Sequence, residues 1–153
     1  ALVGSTGNMM RSTIGKAVLL ALVTTVLASC EKPLSPKEVV ANFVIAMNES
    51  IKGVDPEPVL KWVHPEAERL INNIQADISD EPDFRLYLEG CSEPIASGHD
   101  VIMDCEITLI MGEIDPEAGI TSERISQTPG FHLVLDESNW RVWALGKNVC
   151  TTR

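Results

Sequence analysis

An α+β domain is what this sequence predicts, on three observations. Apolar residues recur at helical spacing up to Ile78, the period falls to two after Pro82, and acidic or Gly-bearing turns separate the later segments. Helices therefore come first and a four-strand antiparallel meander follows. The chain has 153 residues, a length suited to one domain rather than two. With 12 basic and 22 acidic residues its formal charge is −10, which argues against nucleic acid as a partner.

The helical half begins at Ser35-Pro36-Lys37-Glu38, a capping box with proline at the first helical position. Leu34 and Val39 have the spacing of a hydrophobic staple. Val39, Val40, Phe43, Val44, Met47 and Ile51 then form one stripe, predicting a helix over roughly 36–51 with Gly53 as its stop. A shorter helix is expected after Asp55-Pro56, carrying Val59, Leu60, Trp62 and Val63, with His64 as a boundary before Pro65. A third is expected from about Pro65 to Ile78, with Leu70, Ile71, Ile74 and Ile78 on one face.

In the second half, Phe84 to Cys91 is a candidate strand with poor alternation. Val101, Met103, Cys105, Ile107 and Leu109 alternate with Ile102, Asp104, Glu106, Thr108 and Ile110, a clear two-residue period. Asp104 and Glu106 are expected to be exposed. Ser97-Gly98 is a plausible hairpin turn before this strand. Thr121 to Leu135 reads as one strand bulged at Pro129-Gly130, and the turn Asp136-Glu137-Ser138-Asn139 leads into Trp140 to Leu145.

The segment before the domain reads as an address. Arg11 and Lys16 precede an apolar run from Ala17 to Ala28, and no acid occurs before Glu31, the layout of a secretory signal peptide. The run is well short of the roughly 20 residues a bilayer-spanning helix needs. It ends in Leu27-Ala28-Ser29-Cys30, which closely resembles the bacterial lipobox. That resemblance implies cleavage before Cys30 and acylation of Cys30. Two acyl chains are about the threshold for stable anchoring. The expected organisation is an upstream extension and cleaved signal over 1–29, a lipidated tether over 30–34, and one domain over 35–153. Glu31 follows the cysteine, and the absence of aspartate there favours the outer over the inner membrane by resemblance to enterobacterial sorting. Acidity makes docking on anionic headgroups unfavourable, so tethering is assigned to the lipid.

Lipobox, short tether, the capped helix SPKEVVANFVIAMN, the segment VLKWVHP and the closing hairpin FHLVLDESNWRVWAL together resemble lipoproteins with a nuclear-transport-factor-two-like, or cystatin-like cone, domain. The resemblance implies a long first helix packed into a strongly curved antiparallel sheet. That fold hosts enzymes, ligand binders and scaffolds, so it does not by itself give a function.

Chemistry is sparse. With Cys30 lipidated, Cys91, Cys105 and Cys150 remain, and a compartment outside the inner membrane permits a disulfide. A turn at Ser97-Gly98 would set Cys91 opposite Cys105; Cys91–Cys150 is the alternative pairing, and Cys105 as a plain core residue is another. His64, His99 and His132 are widely spaced and predict no metal site; they read as a helix cap, a turn residue and a strand residue. The acids Asp77, Asp80, Glu81 and Asp83, and Glu113, Asp115 and Glu117, read as solvated surface without the spacing of a calcium loop. Phe43, Trp62, Phe131 and Trp140 are candidate walls of an apolar ligand pocket between helix and sheet, with core filling as the other role. No cofactor and no catalytic signature are found. The expected function is non-enzymatic: an envelope lipoprotein, facing the periplasm, whose domain binds a small ligand or an envelope protein. The alternatives are a cone-fold enzyme with a His or Asp base in the pocket, and a structural accessory subunit.

Overall fold

In a computed structural model, residues 32–80, 83–112, 117, 119 and 123–146 are described. Contacts within the chain group Leu34–Arg153 as one unit and Ala1–Pro33 as another, and the elements below all belong to the former. They run α1 (Pro36–Gly53), α2 (Glu57–Leu60), α3 (Glu68–Ser79), β1 (Phe84–Cys91), β2 (Ile95–Ser97), β3 (Asp100–Met111), β4 (Glu123–Gln127), β5 (Gly130–Asp136) and β6 (Asn139–Gly146). Helices first and an antiparallel sheet after them make the α+β class.

The start of α1 is fixed by its sequence. The Ser35 hydroxyl accepts the Glu38 amide proton at 3.3 Å, and the Glu38 carboxylate accepts the Ser35 amide proton at 2.7 Å. These bonds occupy amides that the first helical turn leaves without an internal partner. At the other end α1 runs through Gly53, past the expected stop, and the left-handed residue is Val54, at φ 51°. A β-branched side chain in that conformation costs about 1 kcal/mol or more. Val54→Gly is accordingly expected to raise stability by about 1 kcal/mol. Thermal unfolding would measure it, and an unchanged or lowered midpoint would show that Val54 is not strained.

Past Val54 the chain is stitched back onto α1. The Ser50 hydroxyl, fully buried, accepts the Val59 amide proton at 3.1 Å. Two prolines, Pro56 and Pro58, each lack a donor, and α2 is a single turn ending before Trp62 and Val63. The third helix also starts later than expected, at Glu68. Residues from His64 to Ala67 instead form a turn in which His64 Nδ1 accepts the Glu66 amide proton at 3.1 Å and the His64 carbonyl accepts the Ala67 amide proton at 3.0 Å.

The sheet is organised around β3, a 12-residue strand long enough to hold two partners on each edge. Its first half pairs with β2 on one side and β5 on the other; its second half pairs with β1 and β4. β6 then adds to β5. Each flank of β3 is thus two strands laid end to end, and among the described residues six strands stand where four were expected. Thr121 to Leu135 is not one bulged strand. It breaks at Thr128-Pro129, because proline has no amide proton for a ladder and the flank changes there from β4 to β5. The Pro129 carbonyl accepts the Cys105 amide proton at 3.1 Å, bridging the gap.

The core lies between the helices and one sheet face. From α1 come Val39, Val40, Phe43 and Met47; from the sheet come Met103, Cys105, Phe131, Leu133 and Val142. Val59 of α2, Val63 of the turn after it, and Leu70, Ile74 and Ile78 of α3 join it. Both sheet edges are partly covered. On the β1 side, Asn48 of α1 donates to the Leu86 carbonyl and accepts the Leu86 amide proton, both at 2.8 Å. That side-chain amide imitates a neighbouring strand and occupies one pair of edge groups. On the β6 side, the Val142 amide donates to the Trp62 carbonyl and the Val142 carbonyl accepts from His64, both at 2.9 Å.

Candidate functional site

The β1–β3 pairing explains how two cysteines meet. Inward residues of β1 alternate as Phe84, Leu86 and Leu88 against outward Arg85, Tyr87 and Glu89. Strict alternation would send Cys91 outward. A register shift between Leu88 and Gly90 inserts one residue, turns Cys91 inward and pairs it with Cys105. A disulfide joins the two, with Cα atoms 4.0 Å apart. Cys105 is fully buried, so this cross-link sits in the core. Cys150 lies outside the described residues.

The four aromatic pocket candidates separate into two pairs. Phe43 and Phe131 are buried and meet edge to face, ring centroids 5.9 Å apart. They fill the helix–sheet interface, the core role that was the other expectation for them. Two large rings from facing elements use up the space a ligand would need. Trp62 and Trp140 instead flank a cleft of about 240 Å³ at the β6 edge, completed by Leu34, Val39, Asn139 and Arg141. The Arg141 guanidinium donates to the Lys61 carbonyl, which holds the turn after α2 against β6. The cleft is smaller than the roughly 300–1,000 Å³ of drug-sized ligand sites. It offers two indole faces, an aliphatic floor, a side-chain amide and a cation.

The histidines stay apart. His64 packs edge-on against Trp143 at 5.0 Å, and His99 occupies the β2–β3 turn. His132 Nε2 lies 2.8 Å from Asp100 Oδ2, on the sheet face turned away from the core. This pair was missed in the sequence, although the register signals it. Asp100 opposes Val134, two residues from His132, so the two side chains are diagonal neighbours on one face. Asp104, expected to be exposed, is buried at 7% exposure. Its backbone is held by the β1–β2 connection: the Ser92 hydroxyl accepts the Asp104 amide proton at 3.0 Å, and the Ser92 amide donates to the Asp104 carbonyl at 2.8 Å. Among the described residues no cluster of three or more His, Cys, Asp or Glu could hold a metal ion. No helix among them is long and apolar enough to cross a membrane. Leu27, Ala28, Ser29 and Cys30 lie outside the described residues.

No protein-family model matches the chain, and no curated protein does. Solved structures do. A protein from Xanthomonas campestris, provisionally named a calcium/calmodulin dependent protein kinase II association domain, overlays with a TM-score of 0.50 at 9% identity, covering 74% of this chain and 87% of its own. An NTF2-like family protein from Streptomyces avermitilis, provisionally named a dehydratase, overlays at 0.48 with 12% identity, over 71% and 92% of the two chains. An NTF-2 like protein of unknown function from Shewanella oneidensis MR-1 overlays at 0.47 with 5% identity, over 73% and 98%. What the likeness to the association domain shows is the α+β fold alone.

Proposed function

We propose that this chain is an envelope lipoprotein, held to a bilayer by acylated Cys30, whose α+β domain of nuclear-transport-factor-two-like form serves binding rather than catalysis. The observation that carries the reading is the run RSTIGKAVLLALVTTVLASC, where two cations, a short apolar stretch and Leu27-Ala28-Ser29-Cys30 follow in the order signal processing requires. The Cys91–Cys105 disulfide supports an oxidising compartment, since such bonds are rare where glutathione keeps thiols reduced. The lining of the Trp62–Trp140 cleft supports a non-catalytic role. It supplies an amide and a guanidinium but no imidazole or carboxylate to act as a base. The domain faces the periplasm in this reading, and Glu31 favours the outer membrane.

Palmitate labelling with membrane fractionation tests the anchor. Wild-type protein is expected to incorporate the label and sediment with membranes. Cys30→Ala is expected to abolish the label and leave the precursor unprocessed. Equal labelling of both forms would overturn the reading.

A further inference from the structure

The Trp62–Trp140 cleft sits where the domain meets its tether, and we infer that this end of the domain docks on the lipid surface of the membrane that holds Cys30. The inference rests on the lipoprotein reading and adds an orientation to it. Leu34, one wall of the cleft, is only four residues beyond Cys30. A fully extended chain covers at most about 14 Å over that distance. The polar layer of one leaflet is itself about 5–8 Å thick, so an acylated Cys30 keeps Leu34, and with it this wall of the cleft, at most about 10 Å beyond the headgroups.

What lies at that end suits such a surface. Leu34 is 38% exposed. Leu135 is 50% exposed and is the cross-strand partner of Trp140, which places it on the same sheet face beside the cleft. Trp62 and Trp140 are half-buried, each with an apolar ring and one N–H, the side-chain type enriched at membrane–water interfaces. Two leucines and two indoles grouped around one opening form an apolar patch that water does not favour. Charge selects the lipid. Arg141 lines the cleft and bonds the Lys61 carbonyl, Asp136 is the cross-strand partner of the cleft residue Asn139, and the full sequence, signal included, carries −10. That mixture suits zwitterionic headgroups and gives no attraction to anionic ones. The small cleft volume agrees with a shallow surface contact rather than an enclosed ligand.

The test uses the mature acylated protein in vesicles of phosphatidylcholine and phosphatidylethanolamine, with acyl chains brominated near their carbonyl ends. Bromine quenches indole emission only at close range. Trp62 and Trp140 are expected to be quenched, and the double variant Trp62→Phe, Trp140→Phe, which keeps Trp143, is expected to lose at least half of the fractional quenching. Leu135→Asp, at an exposed position, is expected to reduce quenching of the otherwise native protein by a similar share. An acylated, vesicle-bound protein whose emission is the same in brominated and plain lipid overturns the docking while leaving the lipoprotein reading intact. A mature chain that mass spectrometry shows to be unacylated overturns both.

Discussion

Phe131→Ala is expected to destabilise the domain by about 4 kcal/mol. Phe131 is fully buried, its ring meets Phe43 edge to face, and its neighbours come from α1 and β3 as well as β5. Removing it takes away apolar burial and the aromatic pair, and leaves a cavity that helix and sheet cannot both close around. A typical domain is stable by only about 5–15 kcal/mol, so the loss is a large share of the whole. Urea unfolding would show it as a lower midpoint with an unchanged slope. A loss below about 1 kcal/mol would mean that Phe43 and Phe131 border a cavity able to collapse, and the ligand-pocket role for them would return.

The second large effect concerns the cross-link. Cys91 and Cys105 are 14 residues apart in sequence, and closing a loop of that size stabilises by about 3 kcal/mol through the unfolded chain. Reductant is expected to lower the urea midpoint of the wild-type domain by that amount. It is expected to leave unchanged a Cys91→Ala, Cys105→Ala double variant, which already unfolds at the lower midpoint. Identical wild-type midpoints with and without reductant would contradict the bond. Alanine suits position 105 better than serine, because Cys105 is fully buried and a hydroxyl there would lack an assured partner.

Much of the fold was legible because local chemistry and tertiary structure agree. The capping box of α1 and the inward set Val101, Met103, Cys105 and Ile107 of β3 stand where spacing alone puts them. The misreadings share one physical origin, irregularity that periodicity cannot express. Tyr87 faces outward on β1 and the bulge beside Glu89 resets the strand, so its alternation looked poor although seven of eight positions follow it up to the bulge or beyond. Thr128-Pro129 splits one apparent strand in two, because the change of partner along β3 is a property of the sheet and not of the segment. Asp104 is buried although alternation along β3 sets it on the face away from the core, because burial on that face depends on the tertiary structure and not on the period. The cleft follows the same logic. Trp62 and Trp140 could be singled out as aromatics, but their separation from Phe43 and Phe131 depends on how β6 and the turn after α2 come together.

The account stands on one covalent event at Cys30. Intact-mass and peptide analysis of the mature protein from purified membranes tests it most directly. The prediction is a chain beginning at Cys30, with its sulfur bearing diacylglycerol and its amino group acylated. A mature chain that still carries residues ahead of Cys30, or an unmodified cysteine at that position, would contradict it.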